Sequence, residues 1–81
     1  MSITRDEILQ RLMELLEPFN KEGKTLTPDM EISAELNLDS AMVMDFIMEV
    51  EDGFDIDIPL NVLSETRTMN DLARVVEERV Q

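Results

Sequence analysis

The sequence predicts an all-α fold: a small four-helix bundle, three main helices plus one short helix, with a long first loop, built as one domain over residues 1–81. Three observations predict it. Apolar residues recur at i, i+3, i+4 spacing in separate stretches, the pattern of amphipathic helices. Those stretches open on residues that cap helices well. The one period-two alternation, "FDIDIP", has no second strand to pair with, and so short a run alone makes no sheet. At 81 residues the chain is long enough for one small core and too short for two.

In "TRDEILQRLMELLEPF", Ile8, Leu9, Leu12, Leu15, Leu16 and Phe19 fall at helical spacing. Thr4 with Glu7 makes a capping box, and Asp6 and Glu7 suit the positive helix end. A helix is therefore expected over residues 4–17, stopped by Pro18. "NKEGKTLTPDMEISAELNL" follows as a long loop with room for one helical turn, pinned to the core by Leu26, Ile32, Leu36 and Leu38. Long loops in compact domains are often functional.

The second helix is expected to begin at Asp39 or Ser40 and to run to about Asp52, with Gly53 ending it. Val43, Phe46, Ile47, Val50 and Phe54 form its apolar stripe. "FDIDIP" then reads as an extended connector that turns Phe54, Ile56 and Ile58 inward. Pro59 opens a short helix, "LNVLSE". Thr68, with Asp71 three residues on, caps the last helix, "TMNDLARVVEERV".

Composition excludes several classes of function. Seven basic against 19 acidic residues give a net charge of −12. Counterion release at phosphates needs Lys and Arg, so nucleic acid is not a partner, and anionic membrane surfaces are opposed for the same reason. A basic protein surface suits such a field. The chain has no Cys and no His, hence no disulfide, no thiolate nucleophile and no imidazole base or ligand. "MSITRDEI" leads straight into a helical pattern and is no signal peptide. No apolar run approaches membrane-spanning length. The expectation is a cytoplasmic monomer with no membrane insertion.

No catalytic or metal constellation emerges. A serine without a histidine or nearby lysine is a poor nucleophile, and nothing near Ser40 supplies either. Carboxylate pairs fall at solvent-facing helical positions. "DGFDID" invites a calcium reading, but Met48 and Val50 stand where two of the three acids before the glycine of an EF-hand loop belong. An enzyme is not expected.

Charge is more informative. Between Lys24 and Arg67 lie eleven acids and no base, and seven of them fall from Asp39 to Asp57. The simplest role for such a face is solubility. The helix that starts at Ser40, however, has apolar residues to spare: with Val43, Phe46, Ile47 and Val50 turned inward, Ala41, Met44 and Met48 share another face. Methionine flanked by acids makes an adaptable docking surface, unless a small bundle buries Met44 as well. The candidate docking residues are Asp39, Ala41, Met44, Asp45, Met48, Glu49, Glu51 and Asp52.

"LNLDSAMVMDFIMEVEDGFDIDIP" resembles the core of the acyl carrier protein family. There an Asp-Ser pair opens the second helix, acids stud it, and a tail follows that here is Asp52, Phe54, Ile58 and Pro59. "TRTMNDLARVV" is similar to the start of that family's last helix, and the likeness extends over the chain in length, helix order and charge. Asp-Ser alone says almost nothing; with the tail at the right distance it is specific.

The resemblance implies that Ser40 carries 4′-phosphopantetheine and that a phosphopantetheinyl transferase attaches it. It implies a carrier of acyl thioesters for fatty-acid, lipid or polyketide enzymes, acyl-transferring or condensing, with basic docking patches. An acyl pocket is expected at Phe46, Ile47, Val50, Ile58, Val62, Leu63 and Leu72, between the second helix and "LNVLSE". The family often has glycine where Asn37 stands, and leucine where Ala41 stands; Met44 and Phe46 are bulkier than usual. Asn37 tolerates the same left-handed turn. The other departures suit a specialised carrier serving one acyl-consuming enzyme. Two alternatives use the same residues differently. A cofactor-free acidic adaptor would need the acids and Met44 and Met48 but not Ser40, and a peptidyl carrier would share Ser40.

Overall fold

A computed structural model describes residues 3–80. Helix α1 spans Arg5–Leu16. The Thr4 hydroxyl accepts the Glu7 N–H at 3.2 Å, and the Glu7 carboxylate accepts the Thr4 N–H at 3.3 Å. The α-helix ends one residue earlier than expected, and Glu17–Phe19 form a 3-10 turn around Pro18, whose ring cannot donate to the helical ladder. Helix α2 (Ile32–Leu36) is the turn for which the long loop had room. Helices α3 (Ser40–Phe54), α4 (Leu60–Leu63) and α5 (Met69–Arg79) complete an all-α bundle. No strand forms among the described residues; "FDIDIP" finds no partner.

Gly53 does not end α3. The helix continues to Phe54, and Asp55 takes the left-handed cap at φ 56° and ψ 51°, with the Ile56 N–H donating to the Glu51 carbonyl at 3.0 Å. A Cβ on Gly53 would stand 3.3 Å from Leu15 Cδ1, so glycine here lets α1 close on α3. Arg11 of α1 donates to the Gly53 carbonyl at 3.3 Å and lies 5.3 Å from the centroid of the Phe54 ring. Helix α3 has no basic residue in its own last turn, so Arg11 supplies the cation that its negative end favours.

Helix α1 packs against α5 and α3. Ile8, Leu12 and Leu16 meet Phe46, Ile47 and Val50 of α3, and Met69, Leu72, Ala73, Val75 and Val76 of α5, in one core. Met30, Ile32, Leu36 and Ile58 close it from the connections. No polar or charged side chain is buried among the described residues. Phe19 sets its edge on Phe46, with ring centroids 5.9 Å apart.

The long loop is fastened through its backbone. Ile32 N–H donates to the Arg67 carbonyl at 3.0 Å, Met69 N–H to Met30 at 3.2 Å and Asn70 N–H to Pro28 at 2.9 Å. The Lys24 ammonium donates to the Glu35 carbonyl at 2.7 Å. Backbone groups that no helix or sheet satisfies thus find partners across the sequence.

At the head of α5 the Thr68 hydroxyl accepts the Asp71 N–H at 3.0 Å, while the Asp71 carboxylate accepts the N–H groups of Thr68 and Arg67, each at 3.2 Å. These bonds, that of the Thr68 N–H first, hold the Asp71 carboxyl below its ordinary value. Thr68→Ala should cost about 1 kcal/mol and lower Tm by roughly 4–8 °C. Because the folded pKa of Asp71 is depressed, its contribution is complete above the unfolded pKa and is lost as pH falls through the folded one. The penalty of Asp71→Asn, measured by urea denaturation, should therefore shrink on acidification.

Candidate functional site

Two short-range devices build the start of α3. Asn37 ends α2 in the left-handed conformation, φ 53° and ψ 48°, and the Leu38 N–H donates back to the Ser33 carbonyl at 2.9 Å. A short amide side chain tolerates that backbone. Asp39 then runs extended and caps α3: its carboxylate accepts the Met42 N–H at 2.9 Å.

The cap is therefore Asp39 and not Ser40. Ser40 is the first helical residue; its side chain is exposed, and its hydroxyl makes no hydrogen bond among the described residues. The N–H groups of Ser40 and Ala41, one and two places into the helix, have no intrahelical acceptor, and no acid stands in the first turn. A hydroxyl free of structural duty thus sits at the positive end of a 15-residue helix. A phosphodiester attached there would meet unpaired N–H donors and a favourable dipole, so these residues fit one.

Along α3, Ala41, Met44, Asp45, Met48, Glu49 and Asp52 are exposed. Met44 is 38% and Met48 58% accessible, so the bundle does not bury Met44. Two of the expected docking acids have structural duties. Asp39 is the cap, and Glu51 is half-buried, accepting the Ile58 N–H at 2.8 Å. Glu51 ties down the connector that carries Ile58 into the core, which removes it from the outer row of acids. Leu60, 70% exposed at the start of α4, went unnoticed in the sequence. Its signal was slight: a four-residue helix has too few positions to show which residue points outward.

Four of the seven residues expected at an acyl pocket, Phe46, Ile47, Leu63 and Leu72, meet at a cavity of about 40 Å³. Ile32, Ser33, Val43, Thr66 and Arg67 complete its lining. Val50 and Ile58 are buried outside that lining, and Val62 borders a shallower groove with Arg74 and Val75. The cavity is far smaller than the roughly 150 Å³ that holds a benzene-sized guest. It must open to take a chain.

An all-α bundle whose 15-residue α3 opens on an exposed serine, beside an acidic face, fits a carrier domain. Residues 7–76 match the family model described as "Phosphopantetheine attachment site", and the chain belongs to that family, the family of acyl carrier proteins, whose cofactor is phosphopantetheine. The acyl carrier protein of Rickettsia massiliae is 30% identical over 77 residues, covering 94% of this chain and 90% of that one. The mitochondrial acyl carrier protein of Saccharomyces cerevisiae is 27% identical over 75 residues, covering 86% of this chain and 60% of that one.

Glu51 and Glu49 separate structure from docking. Glu51→Ala leaves the Ile58 N–H without its acceptor and should cost about 1–3 kcal/mol. Glu49→Ala, on the open face, should stay within about 0.5 kcal/mol of wild type in the same urea titration.

Proposed function

We propose that the chain is an acyl carrier, that Ser40 is its attachment residue, and that the exposed face of α3 docks basic partners. The observation that carries this is Asp39 taking over the cap, which leaves the Ser40 hydroxyl accessible within a chain of the attachment family. The group's terminal thiol, when attached, supplies the nucleophile that a chain without cysteine lacks and holds acyl chains as thioesters.

The residues of this chain do the rest. Asp39 fixes where α3 begins, and the unpaired N–H groups of its first turn stabilise negative charge at Ser40. Asp45, Glu49 and Asp52 steer cationic partners, a phosphopantetheinyl transferase and acyl-transferring or condensing enzymes, while Met44 and Met48 adapt to their shapes. The family match favours this over an adaptor, which has no use for an uncapped serine. The changes at Ala41, Met44 and Phe46 favour a specialised carrier. The chain itself is a carrier and not a catalyst. No helix among the described residues is long and apolar enough to cross a membrane.

Incubation with coenzyme A and a broad-specificity transferase should add one phosphopantetheine by intact mass, and Ser40→Ala should abolish it. A modified Ser40→Ala, or an unmodified wild type, would refute the assignment. In the same assay, reversing Asp45 and Glu49 to Lys should slow transfer several-fold at low salt, and added salt should narrow the gap. Equal rates would leave these acids as solubilisers.

The cavity beneath Val43 and Leu63 is proposed to open for the apolar cargo. Burial is worth about 0.8 kcal/mol per CH₂, and ligand bound only by the folded state stabilises it. Apo, short-acyl and long-acyl forms should therefore melt in rising order. Val43→Phe, which fills the cavity from a half-buried position, should remove the gain from long chains and spare attachment. Equal melting temperatures at every chain length would rule the pocket out.

A further inference from the structure

On the other side of α3 lies a larger, open groove of about 430 Å³, between the 3-10 turn that follows α1 and the start of α3. Phe19, Leu36, Leu38 and Met42 are its apolar lining, and Lys21, Glu22 and Asp45 its charged rim. Its volume falls in the usual range for sites that hold small organic groups, roughly 300–1,000 Å³. Leu38 and Met42 stand two residues to either side of Ser40, so the groove opens within reach of an arm attached there, while the Ser40 side chain itself leaves α3 on the Ile47 side. It is preformed, whereas the inner cavity of about 40 Å³ is closed.

We infer that this groove is the resting place of the thiol-terminated phosphopantetheine arm when it carries no acyl chain. The inference rests on attachment at Ser40. Three physical points lead to it. The arm alternates a branched apolar segment with amides, which suits apolar walls under a polar, charged rim. A group tethered beside the groove is present at an effective concentration of about millimolar, so even weak complementarity fills it for much of the time. An arm ending in a small polar thiol gains little by forcing open a closed apolar cavity, whereas a long acyl chain gains with every methylene buried. Cargo thus selects the side of α3: the loop side for the free thiol and the α4 side for the acyl chain. Resting there also shelters the thiol from exchange with disulfides in solution.

The test compares amide NMR spectra of the apo and thiol-bearing forms, with the mass of each sample measured first. Shifts at Phe19 and Lys21, far from Ser40 in sequence, are expected on attachment. Lys21→Trp places an indole in the groove from an exposed position, so the fold should survive. It should abolish those shifts and raise the rate of thiol exchange with a neutral disulfide about two-fold, the gain for an arm sheltered half the time. Loss of the lysine charge alone works the other way, because a cation near a thiol favours the reactive thiolate. Shifts confined to residues beside Ser40 would overturn the inference by leaving the arm in solvent, and shifts at Leu63 and Leu72 would overturn it by placing the arm inside. A chain whose mass never rises fails earlier, at the attachment reading itself.

Discussion

The hydrogen bond from the Met42 N–H to the Asp39 carboxylate is the contact on which the site depends. A helix start needs an acceptor for its free donors, and a serine is a common way to supply one. Here the aspartate one residue earlier supplies it, so the serine is spared. The core then fixes where that serine faces. Phe46, Ile47 and Val50 must be buried, which leaves no freedom to rotate α3 about its axis. Seven residues make nearly two turns, so Ser40 stands above Ile47 to within about 20°. The hydroxyl therefore lies at the edge of the buried stripe, between the side of α3 that packs inward and the side that meets solvent. An attachment residue at such a seam has access to both.

The long loop matters for the same reason. Its closing segment pairs with the entry to α5 through the Arg67, Met30 and Pro28 carbonyls, and its middle is held by Lys24 at the end of α2. Those bonds put Asn37 in place, and the left-handed turn at Asn37 aims Leu38 and Asp39 into α3. The chain thus spends its least regular segment on positioning one helix terminus. The edge contact of Phe19 on Phe46 ties the near end of the loop to the same helix.

What could be read from the sequence was what neighbours in sequence decide. The capping boxes at Thr4 and Thr68, the left-handed tolerance of Asn37 and the apolar stripe of α3 each involve residues within a few positions, and the structure has them all. Gly53 looked like a helix stop because glycine usually is one. Its role is set by Leu15 and Arg11, about forty positions away, which no local pattern displays. Glu51 looked like another exposed acid because its helical position nearly faces solvent. The connector folds back beneath it and turns it into an acceptor for Ile58. The cavity lining draws on Ile32, from the segment expected as a long loop, and on Thr66, from the turn between α4 and α5. Periodicity ranks residues by face, but it does not say which distant segment covers that face.

The charges complete the physical picture. With a net charge of −12 the compact state repels itself, and the described residues recover little of that cost: Arg5 pairs with Glu77 at 2.6 Å, and Lys24 approaches Glu22 at 4.0 Å. Neither pair includes an acid of α3. The exposed acids of α3 thus meet no cation of their own chain at ion-pair distance among the described residues, and no ion pair of the fold is given up when they face a partner. A carrier that must reach several partners and leave each of them gains from this arrangement. Exposed charges quicken encounter through the long-range field but add little once contact is made, because water and salt screen each pair. Fast arrival with weak holding is what repeated delivery asks of a docking surface. Methionines at its centre fit the same requirement, since they conform to different surfaces without committing to one.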